Sequence, residues 1–134
     1  MAPTVRTVAF AATLVALAWS VALTGLAALG NTWVLDRVSG GLFAGGEMPL
    51  AVRLLYAAMA LATIAVGWLE NRYYRYLASP RQLRLGRLVI VVFALSTLVN
   101  ALSRSAPERW NALGAAVVVV GTVVMIRRPR ALPG

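Results

Sequence analysis

The chain of 134 residues contains no cysteine, no histidine and no lysine. Without cysteine, disulfides, thiolate nucleophiles and cysteine metal sites are excluded. Without histidine, the side chain most used for proton transfer and metal ligation near neutral pH is missing. A serine nucleophile would find neither histidine nor lysine as its base. We therefore expect no metal, no cofactor and no enzymatic activity.

Charged residues are also scarce, at 13% of the chain, whereas soluble domains carry about a quarter. Hydrophobic residues reach 60% and gather in long stretches. Stretches of about 20 residues suffice to cross a hydrocarbon core of ~30 Å at ~1.5 Å per residue. The sequence predicts an all-α, polytopic membrane protein with four transmembrane helices in an antiparallel bundle. This single domain, 1–134, has its helices at about 5–29, 49–69, 80–103 and 106–126.

Two serine-proline segments mark helix starts. Ser79 can cap the third helix, with Pro80 in its first position and Gln82 completing a capping box. The segment from Ser105 to Glu108 has the same pattern and opens the fourth helix. Because so few residues separate the third and fourth helices, we expect them to form an antiparallel hairpin.

The basic residues are all arginine, and they are unevenly distributed. Five lie between the second and third stretches: Arg72, Arg75, Arg81, Arg84 and Arg87. With Arg6, Arg127, Arg128 and Arg130, they are predicted to lie on one side of the membrane. The other side is predicted to carry Arg37, Arg53, Arg104 and Arg109. Arginine in short loops favours the cytoplasmic side, so both termini are expected there, in a bacterial cytoplasmic membrane. The five central arginines are candidates for binding anionic lipid headgroups, and this explains the net charge of +9 better than nucleic acid does.

The acidic residues are expected outside the middle of the spans. Asp36, Glu47 and Glu108 fall on the outer side, and Glu70 falls at the cytoplasmic border. Coupled transport and proton relays need ionisable groups at membrane depth. Small four-helix multidrug transporters carry such an acidic residue in their first helix, and this chain does not.

Small residues recur at helical spacing and are candidate packing positions, because they let membrane helices approach closely. On the first helix they are Ala12, Ala16, Ser20, Thr24 and Ala28. On the fourth helix, Gly114 and Gly121 share one face. An alanine-rich chain also produces such ridges by chance, and both interpretations stay open.

Two intramembrane polar residues, Ser96 and Asn100, lie one turn apart on the third helix. We expect Asn100 to bond across to a neighbouring helix, with a pore-lining or substrate-binding role as the alternative. Trp19 lies in the middle of the first helix and is expected to pack against its neighbours. A ligand-facing indole is the other interpretation.

The segment from Asn100 to Trp110, which reads NALSRSAPERW, resembles a segment common in small four-helix membrane proteins of unknown function from high-GC bacteria. The resemblance implies the four-helix fold and its topology, and it supplies no activity.

Three classes of function fit these observations. The leading hypothesis is a small structural or accessory membrane protein that packs against a larger membrane complex or self-associates. The second is an oligomeric transporter or channel for a small apolar molecule, lipid or ion without a titrating membrane-embedded carboxylate. It predicts that Ser96, Asn100 and Arg53 face a common lumen. The third is an enzyme or electron-carrier subunit with a bound quinone or pigment. The expected partners are the bilayer, its anionic lipids, and further copies of the chain or a larger membrane protein.

Overall fold

The computed structural model describes residues 3–76 and 78–127, which are largely helical and contain no β-strand. The helices are α1 (Pro3–Ala28), α2 (Leu50–Arg75), α3 (Pro80–Ala101), α4 (Ala106–Arg109) and α5 (Asn111–Ile126). Two short 3-10 turns, Thr32–Val34 and Ser39–Gly41, lie between α1 and α2. The backbone of Trp110 stays in the helical region, so that α4 and α5 form one span.

Four helices of the described chain are long and apolar enough to cross a membrane, as predicted. The protein is a polytopic, all-α bundle of antiparallel helices. Helices α1 and α5 pack together at its centre; α2 packs against α1, and α3 packs against α5. We call the end that holds Pro3, Arg75, Pro80 and Ile126 the terminal end, and the opposite end the loop end. The backbones of α2 and α3 are not adjacent, and the two helices meet at the terminal end, where the Tyr73 hydroxyl of α2 donates to the Gln82 carbonyl of α3.

The start of α3 confirms the predicted capping box. The Ser79 hydroxyl accepts from the Gln82 N–H at 3.3 Å, and the Gln82 side chain accepts from the Ser79 N–H at 2.8 Å. The box expected at the start of α4 is only half made. Ser105 Oγ accepts from the Glu108 N–H at 3.4 Å, but the Ser105 N–H donates to Ser103 Oγ at 3.1 Å. The Glu108 carboxylate instead accepts a hydrogen bond from the Ser103 hydroxyl.

Helix α2 continues beyond the expected end at Leu69 and reaches Arg75. Its buried face includes Thr63, Leu69 and Tyr73, so the packed stripe persists past the polar residues at which the sequence-based boundary was drawn. Consequently the five central arginines flank a short link, residues 76–79, and lie on the last turn of α2 and the first turns of α3. Arg128 and Arg130, expected on the same side, lie outside the described residues.

The bundle has one buried cluster toward each end. Toward the terminal end it contains Leu17, Leu69, Tyr73, Val89, Val118 and Met125. Toward the loop end, residues of α1 meet residues of the α1–α2 segment: Leu23, Ala27, Val34, Leu35, Val38 and Met48. The α1–α2 segment therefore packs onto the end of the bundle. Gly30, with a φ of +74°, ends α1 by letting the Asn31 N–H bond back to the Leu26 carbonyl at 2.9 Å.

Helices α1 and α5 are in tight contact at Gly121. A Cβ on this glycine would collide with the Thr13 hydroxyl, and it would lie 3.4 Å from the Ala9 carbonyl oxygen. Gly114 differs, because no side chain or distant backbone atom lies within 4 Å of its missing Cβ. Of the small residues singled out on α1, Thr24 is buried, Ala16, Ser20 and Ala28 are half-buried, and Ala12 is exposed. The buried side of α1 is centred on Thr13 and Leu17.

Candidate functional site

A cavity of about 210 Å³ lies toward the loop end, where side chains from all four spans and from the α1–α2 segment line it. Residues of α2 and of α3 both line it, away from the contact that these helices make at Tyr73 and Gly86. Ser96 and Asn100 both line it. Asn100 Nδ2 donates to Ser96 Oγ at 3.1 Å, so this hydrogen bond runs along α3 rather than across to a neighbouring helix as expected.

Arg53 does not share the cavity with Ser96 and Asn100. Its Nε donates to the Ala28 carbonyl at 2.9 Å, and its guanidinium packs against Gly30. The Arg53 side chain thus ties the start of α2 to the end of α1. Of the three residues expected to face a common lumen, the structure brings two together.

Trp19 lines the cavity and is also 48% exposed. Its indole Nε1 donates to Asn111 Oδ1 at 3.4 Å, and its ring meets Trp33 edge-on with centroids 6.4 Å apart. Asn111 Nδ2 in turn donates to the Arg37 carbonyl at 3.1 Å. Trp19 is therefore part of a polar link that joins α1, the α1–α2 segment and the start of α5.

Glu108 is the acidic residue of this cavity, and it is 8% exposed. One carboxylate oxygen accepts from the Ser103 hydroxyl. The hydroxyl of Ser105 donates to the Asp36 carbonyl, which fixes the α1–α2 segment over the start of α4. Sequence reasoning placed Glu108 only at an outer turn. It missed the cavity because the α1–α2 segment and α2, which complete the lining, are distant in sequence.

Glu70 is completely buried, and it lies near the terminal end of the span Leu50–Arg75, where the sequence placed it, rather than in the middle of the span. Thr122 Oγ1 of α5 donates to Glu70 Oε1 at 2.5 Å, and Oε2 has no hydrogen-bond partner within the described chain. The spacing of Thr63, Val66, Glu70 and Tyr73, at intervals of three and four, was the available signal. It places Glu70 on the packed side of α2.

The terminal end carries arginines among aromatic rings. The Arg72 guanidinium lies 5.2 Å from the Trp68 ring centroid and 5.6 Å from that of Tyr76. Arg6 lies 5.9 Å from the Tyr74 ring centroid and donates to the Tyr73 carbonyl. Arg75, Arg81, Arg84 and Arg87 are exposed, whereas Arg72 is half-buried. These side chains form a positively charged band around this end of the bundle.

No group of three acidic side chains that could hold a metal ion occurs in residues 3–76 and 78–127. Comparisons of the chain with protein-family models, with curated proteins and with solved structures find no match.

Proposed function

We propose that the protein is a small accessory subunit of a bacterial cytoplasmic membrane, which packs against a larger membrane protein or against copies of itself. The observation that carries this proposal is a ridge of exposed small residues on the outward face of α2. Its members share one face at helical spacing, Ala58, Ala62 and Ala65, and the exposed side chains of Leu54, Leu55 and Leu61 border this ridge. Small residues let membrane helices approach closely enough for extensive van der Waals contact.

The outward face of α3 differs from that of α2, and this difference supports the proposal that α2 contacts a partner. There the exposed residues are large and branched, among them Leu88, Val91, Leu95 and Val99. Such side chains suit contact with lipid tails, whereas the alanine ridge offers a shallow groove for another helix. Two faces of one bundle thus differ in the contact that they favour, and α2 is the face that suits a protein partner.

Native mass spectrometry of the protein, gently extracted from its own membrane, tests the proposal. A stoichiometric larger partner or a defined homo-oligomer is expected. The variant Ala62→Leu should dissociate that assembly, because a larger side chain fills the groove. Val91→Leu on α3 is the matched control and should leave the assembly intact. A monomer in gentle extraction, with no difference between the two variants, would refute the accessory role.

The charge distribution supports an orientation with both termini in the cytoplasm. Toward the terminal end lie Arg6, Arg72, Arg75, Arg81, Arg84, Arg87 and Arg127, whereas Arg37, Arg53, Arg104 and Arg109 lie toward the loop end. The arginine-aromatic band is the position at which anionic headgroups would bind. Topology reporters fused to either terminus should report the cytoplasm.

The cavity favours a second candidate function, an oligomeric transporter or channel for a small molecule or ion. Asn100 and Ser96 supply its polar lining on α3. In this case Asn100→Ala should change the flux of rubidium ion, as a probe of small-ion passage, into proteoliposomes while assembly is unchanged. If rubidium flux into proteoliposomes equals that into protein-free liposomes, the proposal that the protein is an ion channel is refuted.

A further inference from the structure

The cavity at the loop end contains a carboxylate without a cationic partner. Glu108 is more than nine-tenths buried and lines the cavity, and Ser103 is its side-chain hydrogen-bond partner. No ion pair joins Glu108 to an arginine in the part of the chain that the structure describes. A buried charge of this kind favours an opposite charge beside it.

The arginine that also lines the cavity is already neutralised. Arg37 pairs with Asp36, donates to the Trp33 carbonyl at 2.7 Å, and stacks over the Trp33 ring with its guanidinium 4.2 Å from the centroid. Both hydrogen bonds come from Nη1, and one face of the guanidinium is covered by the Trp33 ring. The charge that the cavity leaves uncompensated is the negative charge of Glu108.

Part of the remaining lining suits an apolar body, beside the polar side chains of Ser96 and Asn100 on α3. Leu23, Met59 and Val118 line the cavity together with three aromatic rings, those of Trp19, Tyr56 and Phe93. Aromatic rings attract cations as well as apolar groups. The hydroxyl groups of Tyr56 and Ser39 are 2.8 Å apart, which holds Tyr56 in place.

The size of the cavity limits its occupant. An engineered cavity of about 150 Å³ in another protein holds one benzene molecule. The present cavity, about 210 Å³, has room for one ring and a small head group. Met59 on α2 and Val99 on α3 line the cavity and are also exposed, so it reaches the bundle surface that these two helices border.

We propose that this cavity binds one small organic monocation with an apolar body, an aryl- or alkylammonium ion, with its charged nitrogen at Glu108. The apolar part lies against Phe93 and Val118, and the aromatic rings of Trp19 and Tyr56 flank the ligand. The proposal concerns the single chain, and it stands independently of the accessory role.

Isothermal titration calorimetry of the full chain in lipid nanodiscs tests this binding, with protein-free nanodiscs as the blank. The probe is benzyltrimethylammonium. N,N-dimethylbenzamide is the neutral comparison, and phenylacetate is the anionic one. We expect the cation to bind about tenfold or more tightly than the amide, and phenylacetate to be excluded.

Two pairs of variants locate the site. Glu108→Gln should weaken binding of the cation about tenfold or more, whereas Glu47→Gln, the same change at an exposed position, should leave it unchanged. Gly114→Leu should abolish binding by filling the cavity, because Gly114 lines it with open space around its Cβ position. Gly25→Leu is the control, because the Cβ position of Gly25 is equally open and Gly25 does not line the cavity.

Circular dichroism checks that each variant is folded. If Glu108→Gln does not fold, the comparison of Gly114→Leu with Gly25→Leu decides the question. The proposal is overturned if the cation shows no saturable binding to the wild-type chain, or if phenylacetate binds more tightly. Unchanged affinity in folded Glu108→Gln, or in folded Gly114→Leu, would also overturn it.

Discussion

At the residue scale, Glu70 and Glu108 illustrate what sequence reasoning does and does not reach. Both were identified from the sequence as carboxylates close to a span boundary. Their surroundings were not, because the Thr122 hydroxyl that bonds Glu70 lies on another helix. The same holds for Glu108, whose cavity includes side chains from the other three spans. The sequence gives the residue type and its position along a helix, whereas the hydrogen-bond partners of a side chain depend on how the helices pack.

The bond between Thr122 and Glu70 should stabilise the bundle. Thr122→Val removes the donor while nearly preserving shape, and it leaves the buried carboxyl group without its partner. We expect the free energy of unfolding to fall by about 1–2 kcal/mol. Thr97→Val is the matched control, because Thr97 donates only to the Phe93 carbonyl within α3. The measurement is reversible unfolding in mixed micelles. An equal decrease in the free energy of unfolding of both variants would contradict a stabilising role of the hydrogen bond between Thr122 and Glu70.

At the element scale, the helix starts were predictable and one helix end was not. The capping box of Ser79 and Gln82 depends on residues three apart, so it can be read from the sequence alone. The end of α2 depends on Tyr73, which α2 buries against the rest of the bundle. That tertiary contact continues the helix through a polar segment typical of a membrane boundary.

The contact between α1 and α5 makes a prediction at this scale. Gly121→Ala places a methyl group against the Thr13 hydroxyl and should lower the free energy of unfolding by about 1–3 kcal/mol. Gly114→Ala, on the same helix but in open space, should be neutral or stabilise by up to about 1 kcal/mol. Adding Thr13→Ala to Gly121→Ala should recover part of the loss. Unfolding curves of the single and double variants test this, and the absence of any recovery would count against a direct clash.

At the scale of the whole molecule, the number of spans and the bundle class were predictable because they depend on the length and hydropathy of local stretches. The cavity was not. Its lining comes from all four spans and from the α1–α2 segment that covers the loop end, and so it depends on contacts between residues that are distant in sequence. Ser96 and Asn100 were recognised as polar residues within a span, and the transporter hypothesis placed them at a common lumen with Arg53. The residues of the other spans that surround them were not predictable.

The charged band at the terminal end makes a prediction for the molecule as a whole. Replacing Arg72, Arg75, Arg81, Arg84 and Arg87 by glutamine should weaken retention of anionic lipid or produce mixed orientations. Native mass spectrometry with lipid, together with reporters at both termini, measures the two effects. Replacing Arg37, Arg53, Arg104 and Arg109 instead is the control and should leave both unchanged. Unchanged lipid retention and orientation in the first variant would show that the band neither binds anionic lipid nor sets the orientation.

The central pairing of α1 with α5 has a consequence for biogenesis. Membrane insertion proceeds from the N-terminal span onward, yet α1 finds this partner only in the fourth span. During synthesis the Thr13 side of α1 therefore stays without the close contact at Gly121 until α5 has emerged. The pair α1 and α2 can form earlier, but the bundle is complete only once α5 is in place, so a ribosome that stalls within α3 leaves an incomplete intermediate for quality-control proteases.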